Sequence, residues 1–357
     1  MAARRARRVV VFRAGALGDL LLSVPALAAL RAQLGATVHL AGSMPQAQLV
    51  QAMGLVDEAS SIDDLALTPL FLDSPSPAQL DAVPAWATES GLALVWLRRP
   101  DTVARNVERL GGTRVLAASP LPPPEQPRHV ADWLLETLQP LGVRPAPDWD
   151  ARPWLRAPPG AAASAGRWIA ERLGARPFVV VHPGSGSARK NWPAEHWAQV
   201  IAGLCAATSA PGTDGDAGAA PALPSSGPGA AARRPLGADE AGSPAVVITA
   251  GPADDEPVAG LTGALADSYG LRPVVAQNLS LEQLAGLLTL ASLYLGNDSG
   301  VSHLAAGLGT PTIAVFGPTD PVLWRPRGPA IRTLGGRGAW PAPDDVLDAA
   351  RAWLHSP

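Results

Sequence analysis

Short apolar runs alternate with longer stretches of helical period along most of this chain. Val9–Phe12, Thr37–Ala41 and Leu92–Leu97 are short and rich in branched side chains, the pattern of strands buried on both faces. Leu20–Leu34, between the first two runs, and His129–Leu138, after the third, have the spacing of helices. The first is predicted to kink at Pro25, because proline lacks an N–H and its ring crowds the preceding turn. A proline-rich stretch, Pro145–Pro159, reads as a linker. The alternation then restarts. Phe178–Val181, Ala245–Thr249, Leu293–Leu295 and Thr312–Phe316 are predicted strands, and Ala194–Ala207, Ser280–Leu290, Val301–Leu308 and Asp344–Leu354 are predicted helices. Pro193 suits a first helical turn, and Ser280-x-x-Gln283 is a capping box.

Alternating strands and helices predict parallel sheets with helices on both faces. The expected fold class is α/β, with two Rossmann-like parallel-sheet domains, residues 1–155 and 156–357, facing a central cleft. Whether the closing helix packs back on the first domain stays open. Ser209–Pro244 is rich in Gly, Ala, Pro and Ser without an apolar period, and is predicted to be a disordered surface insertion.

Composition narrows the function classes. A length of 357 residues suits two domains, and 47% hydrophobic residues suffice for a core. A net charge of −3 gives no reason to expect nucleic acid as a partner. The single cysteine, Cys205, rules out a disulfide within the chain and reads as a buried thiol in a reducing compartment. Arg4, Arg5, Arg7 and Arg8 precede an apolar stretch, as in a signal peptide, but Arg13, Asp19 and two glycines interrupt it. A first strand behind a solvated tail is expected, with contact to an anionic surface as the alternative. No uninterrupted apolar run approaches the roughly 20 residues of a membrane span, so the expected location is cytoplasmic. The histidines are scattered without zinc-site spacing, and no Walker lysine motif or nucleophile elbow occurs. No metal and no cofactor are expected. Lys190 is the one lysine among 28 basic side chains.

Four strand-to-helix turns carry the candidate chemistry. In Arg13-Ala-Gly-Ala-Leu-Gly18-Asp19, the glycines allow a tight turn, and a carboxylate there would repel a phosphate. Asp19 is therefore a candidate general base, with a helix N-cap as the plainer alternative. The segment from His182 to Pro193 places Ser185, Ser187, Arg189 and Lys190 before a helix. Hydroxyls, main-chain N–H groups and a compact cation suit a diphosphate; a solvated loop is the alternative. In Gly296-Asn-Asp298-Ser299-Gly300-Val-Ser-His303, Asp298 is placed to accept from sugar hydroxyls, and His303 lies one turn into the helix. A lone histidine is as readily structural. The fourth turn, Phe316-Gly-Pro-Thr319-Asp-Pro321, either lines the same sheet edge or is a proline-fixed bend.

Three segments, "RAGALGDLLLSVPALAALR", "VHPGSGSARKNWPAEHWAQVI" and "LGNDSGVSHLAAGLGTPTIAVFGPTDP", together resemble glycosyltransferase family 9, the heptosyltransferase family. The stretch between Ala41 and Pro177 matches only loosely, and Ser209–Pro244 not at all. The resemblance implies a GT-B fold, with the acceptor on the N-terminal domain and a nucleotide-sugar donor on the C-terminal one. It implies inversion at the anomeric carbon without a metal or cofactor. Asp19 of the Gly18-Asp19 pair takes the family's catalytic place, and Lys190 its diphosphate contact. Asp298, Ser299, Gly300 and His303 take the donor-site element, with Ser299 in place of threonine. Ser185 and Ser187 correspond to a hydroxyl pair before the lysine. An acidic donor-site residue falls on Asp254, Asp255 or Glu256.

The implied partners are a nucleotide sugar, an ADP-sugar first, and a glycan or lipid-linked acceptor. Heptose transfer from ADP-heptose to a lipopolysaccharide core, with peripheral contact at the inner membrane, follows from the family name. Arg98, Arg99 and Arg105 are candidates to meet an anionic acceptor, although the first domain holds about as many acids as arginines. Two rivals remain: a nucleotide-sugar epimerase of the same fold, and a non-catalytic nucleotide-sugar-binding homologue.

Overall fold

The computed structural model of the chain describes residues 8–111, 113–206 and 243–355. Arg4, Arg5, Arg7 and residues 209–242 of the expected insertion lie outside the described residues. The chain divides into two compact units, Met1–Pro159 with Val322–Arg325, and Gly160–Pro321 with Pro326–Pro357. The division falls at the end of the proline-rich stretch, a few residues beyond the expected boundary after residue 155. Residues Val322–Arg325 return to the first unit, where the Arg325 carbonyl lies 2.8 Å from His129 Nε2.

The first unit is built on five parallel strands: β1 (Arg8–Arg13), β2 (Thr37–Gly42), β3 (Glu58–Ser61), β4 (Leu92–Trp96) and β5 (Arg114–Ala118). Their order is β3-β2-β1-β4-β5, so Val10 lies between His39 and Ala93. β1 and β4 are the buried centre, which is why both read as unbroken apolar runs. The edge strands β3 and β5 are half exposed, and β3, Glu-Ala-Ser-Ser, carries no such run.

The predicted kinked helix Leu20–Leu34 is instead two helices, Leu17–Leu21 and Val24–Leu34. Pro25 would crowd the Leu21 carbonyl in a continuous helix. The chain breaks at Leu22–Ser23 and restarts with Pro25 in the first turn, where a missing N–H costs nothing. Among the described residues, Leu17–Leu34 is the one stretch long and apolar enough to cross a membrane by length and composition, and 56% of it is buried inside. Leu20, Leu21, Leu27 and Leu30 face the core of this unit.

The second unit holds six parallel strands: β6 (Phe178–His182), β7 (Ala245–Ala250), β8 (Val274–Gln277), β9 (Leu293–Asn297), β10 (Thr312–Phe316) and β11 (Ile331–Gly335), in the order β11-β10-β9-β6-β7-β8. Val180 sits between Val247 and Tyr294. On one face, Trp197, Ile201 and Leu204 of helix Ala194–Cys205 pack with Val346, Leu347 and Ala350 of the closing helix Pro343–Leu354. The closing helix thus belongs to this unit's core. Gly203 makes room for it, since a Cβ there would lie 2.5 Å from Leu347 Cδ2, and Arg351 Nη2 donates to the Gly203 carbonyl at 3.0 Å.

Strand order reverses between β1 and β4 in one sheet and between β6 and β9 in the other. At such a point successive connections leave toward opposite faces, and a crevice opens at the carboxyl ends of the strands. The turns leaving β1, β6 and β9 are those of Asp19, Lys190 and Asp298.

Candidate functional site

In the first unit, β1 delivers Arg13, only 4% exposed, beneath the turn. Its Nη2 donates to the Asp19 carbonyl at 2.8 Å and lies 3.6 Å from Asp19 Oδ1. Burial pushes the Arg13 pKa down, opposed by the Asp19 charge. Asp19 is not the N-cap that the plainer reading expected. It is the third residue of helix Leu17–Leu21, and its Oδ2 accepts the Ala16 N–H at 3.1 Å. Gly15, at φ +137°, lets the turn approach the acid: a Cβ there would fall 2.7 Å from Asp19 Cβ and 2.9 Å from Oδ2. Gly18 lies one residue before Asp19 in the same helix, half buried. The result is a carboxylate oriented by a cation and a main-chain donor, with 35% of its side chain open to solvent. Such a group can take a proton from a hydroxyl.

In the second unit, the segment after β6 is a loop of small residues that closes on a 3-10 turn, Ala188–Lys190. The Ser185 hydroxyl sits 2.7 Å from the Ser187 carbonyl and 2.7 Å from Asn191 Oδ1, so it shapes the loop from within. Ser187 is exposed. Lys190 Nζ lies 2.9 Å from Asp298 Oδ2, the ammonium side 33% exposed and the carboxylate side 6%.

β9 runs through Gly296 and Asn297, which the sequence had placed in the turn. Asn297 reaches the loop after β6: its Oδ1 accepts the Trp192 N–H at 3.1 Å, and its Nδ2 donates to the Pro183 carbonyl at 2.7 Å. Asp298 follows it and is buried. Its Oδ2 takes Lys190 and also the Thr319 hydroxyl, at 2.8 Å. Two donors therefore hold one oxygen of the carboxylate that was expected to meet sugar hydroxyls.

Ser299 caps helix Gly300–Gly307, its Oγ accepting the Ser302 N–H at 3.4 Å. That hydroxyl is engaged by the helix, a use the resemblance did not imply. Gly300 opens the helix half buried, and His303 lies one turn in, 3% exposed. The Tyr294 hydroxyl lies 3.1 Å from Ser302 Oγ, and burial pushes the phenol pKa upward.

The fourth turn is braced from behind. Arg337 N–H donates to the Thr319 carbonyl at 3.0 Å, Gly338 N–H donates to the Gly317 carbonyl at 2.8 Å, and Arg337 Nε reaches Asp320 Oδ1 at 3.1 Å. Thr319, one of the alternatives for the fourth turn, does reach the β9 end through Asp298, and Asn297 is the residue there to which the sequence reading assigned no role. A buried amide at a strand end carries no spacing signal.

Among the three candidate acids after β7, Asp254 alone is buried, while Asp255 and Glu256 are exposed. Asp254 Oδ2 accepts the Gly251 N–H at 2.7 Å and lies 3.7 Å from His182 Nε2. His182 Nδ1 faces the Thr249 carbonyl at 3.2 Å and hydroxyl at 3.1 Å. Burial pushes the His182 pKa below its ordinary value, with Asp254 opposing. Among the described residues, no three His, Cys, Asp or Glu side chains converge to hold a metal ion.

The model of glycosyltransferase family 9 (heptosyltransferase) matches residues 238–349. Lipopolysaccharide heptosyltransferase 3 of Escherichia coli is 36% identical over 83 residues, 23% of this chain and 24% of that protein. Lipopolysaccharide heptosyltransferase 1 of Salmonella typhimurium is 45% identical over 49 residues, 14% of this chain and 16% of that protein. The chain thus spans, in matched sequence, about a quarter of the length of the first relative. Among solved structures, a family 9 glycosyl transferase from Veillonella parvula superposes with a TM-score of 0.71 at 18% identity, covering 98% of this chain and 97% of that one. An Escherichia coli ADP-heptose lipopolysaccharide heptosyltransferase II gives 0.64 at 19% identity, covering 97% and 98%. An Escherichia coli heptosyltransferase solved with ADP gives 0.61 at 19%, covering 97% and 99%. These likenesses show the fold, which is GT-B, with two parallel-sheet α/β domains. The sequence match to glycosyltransferase family 9 (heptosyltransferase) is thus confined to residues 238–349, and the likeness over nearly the whole chain is one of fold.

Proposed function

We propose that the chain is an inverting, metal-independent glycosyltransferase that moves a heptose from ADP-heptose to a hydroxyl of a lipopolysaccharide-core acceptor. The observation that carries this reading is the Lys190–Asp298 arrangement at the β6/β9 reversal, where strand topology favours a ligand. Lys190 is partly exposed on a loop of small residues and hydroxyls. A diphosphate carries more charge than one carboxylate, so the ammonium turns toward it when the donor binds. Ser187 and the helix start at Gly300 lie beside that position in sequence and offer further donors. Asp298 and His303 orient the donor sugar.

In the transfer, Asp19 takes the acceptor hydroxyl proton as that oxygen bonds to the anomeric carbon. The bond to the diphosphate breaks with its electron pair, which leaves on the nucleoside diphosphate. Attack opposite the leaving group inverts the carbon. Lys190 and main-chain N–H groups stabilise the charge that grows on the leaving group. For the acceptor, Arg98 and Arg99 follow β4, which borders β1 at the reversal in the first sheet, and Arg105 is exposed in the helix that follows, Pro100–Arg109. They suit an anionic lipid-linked glycan, and with it a site of action on the cytoplasmic face of the inner membrane.

The test is a melting series with ADP-heptose and with GDP-, UDP- and TDP-sugars. At about a hundredfold excess over Kd, a bound donor adds about 2.7 kcal/mol. ADP-heptose should raise the melting temperature, and a response to another nucleotide class alone would refute the donor. Asp19→Ala should keep that rise and lose at least ~100-fold in transfer rate, the lower end for a general base. Unchanged turnover would remove Asp19 from the chemistry.

A further inference from the structure

We infer that Asn297 is the positioning residue for the loop that carries Lys190. Asn297 ends β9 and is fully buried, at 0% exposure. Its two amide bonds go to the two ends of one segment: the Pro183 carbonyl where the chain leaves β6, and the Trp192 N–H where it enters the next helix. The segment between them holds Gly184, Ser185, Gly186 and Ser187, a composition with little stiffness of its own.

The adjacent residue, Asp298, holds Lys190 itself at 2.9 Å. Two consecutive residues of one strand end therefore fix the loop at both ends and at its cation. That strand end is fixed in turn: Asp298 N–H donates to the Val315 carbonyl at 3.0 Å, and Ser302 Oγ donates to the Asn297 carbonyl.

The chemistry asks for asparagine. One position must accept from an N–H and donate to a carbonyl while staying neutral in a dry environment, and a primary amide does both. The donors and acceptors on either side fix which way the amide points. An aspartate keeps the acceptor for Trp192 but sets an oxygen against the Pro183 carbonyl. A leucine or alanine leaves two main-chain groups to find other partners. The value of the clasp to the enzyme is preorganisation, since a cation already in place loses less freedom when its ligand arrives. This inference rests on the reading of Lys190 as the diphosphate cation.

The test compares Asn297→Ala, Asn297→Leu and the milder Asn297→Asp with the parent chain. Hydrogen–deuterium exchange reads the Pro183–Trp192 segment, and calorimetric titration reads ADP affinity. Exchange in that segment should quicken in the alanine and leucine variants, and in the aspartate variant mainly at the Pro183 end. ADP should bind about tenfold more weakly or worse, the loss expected when a charge-assisted contact is misplaced. The loss should not multiply with that of Lys190→Ala, because both act through one ammonium. Thr310→Val is the control. It removes another buried bond, from Thr310 Oγ1 to the Leu288 carbonyl at 2.7 Å, and should lower stability without weakening ADP. Unchanged exchange in the loop, or losses that multiply with Lys190→Ala, would overturn the inference. If the parent chain binds no ADP, the donor reading falls, while the exchange data still decide whether Asn297 holds the loop.

Discussion

Gly184 is the sharpest point at which to test the packing around the β6 turn. Its φ lies outside the left-handed region, so alanine brings no backbone strain of its own. The cost must come from the added methyl. A Cβ at Gly184 would fall 1.8 Å from Asp254 Oδ1 and 2.4 Å from its Cγ, well inside contact distance. Asp254 cannot simply swing away. It is 6% exposed and its Oδ2 is held by the Gly251 N–H at 2.7 Å. Either the carboxylate gives up that bond, a loss of about 1.5–3 kcal/mol for a charged acceptor, or the loop shifts, at about 1–3 kcal/mol for overpacking.

Gly184→Ala should therefore cost about 2–4 kcal/mol if both responses share the load. At about 2–4 °C per kcal/mol for a domain of this size, the drop in melting temperature is roughly 4–16 °C. Scanning calorimetry of the single variants and of Gly184→Ala/Asp254→Ala reads it. On the Asp254→Ala background the two clashing carboxyl atoms are gone and only the Cβ of residue 254, at 3.1 Å, stays close, so the additional cost should fall below about 1 kcal/mol. An unchanged melting temperature in the parent background, or an equal drop in both, would refute the clash as the cause.

Two further outcomes follow from the same region and from the first unit. Thr319→Val removes the hydroxyl from Asp298 Oδ2 while keeping the shape, and should cost about 1–2 kcal/mol in chemical denaturation, with Thr319→Ser restoring most of it; equal loss in both variants would exclude the hydrogen bond. His39 and His182 are both pushed by burial below the ordinary imidazole value of 6.5. The unfolded chain then binds more protons than the folded one, so their contribution is complete above pH 6.5 and is lost as pH falls toward the folded values. Melting temperature should decline through that window, less steeply in His39→Gln. A slope unchanged by that substitution would clear His39.

Much of this protein was legible in order along the chain. Central strands such as β1, β4, β6 and β10 are buried on both faces, so their sequences must be continuous apolar runs and announce themselves. The turns after β1, β6 and β9 carry residue types whose chemistry is local, so they are legible in the sequence. Edge strands are not. β3 and β11 pair on one side only and stay half exposed, which leaves polar and apolar residues equally acceptable. Pro25 was read as a kink because period alone does not tell a bent helix from two short ones.

What the sequence determined by itself was the α/β alternation and the polar turns that leave β1, β6 and β9, because burial and turn geometry act over a few residues. Only the tertiary structure decided that Asp254, rather than Asp255 or Glu256, turns inward, that Thr319 shares an oxygen with Lys190, and that Asn297 clasps a loop more than a hundred residues away in sequence. Those contacts exist because parallel strands distant in sequence bring their carboxyl ends together. A hydrogen bond formed there depends on the register of the sheet and leaves no period, spacing or composition for the chain to show.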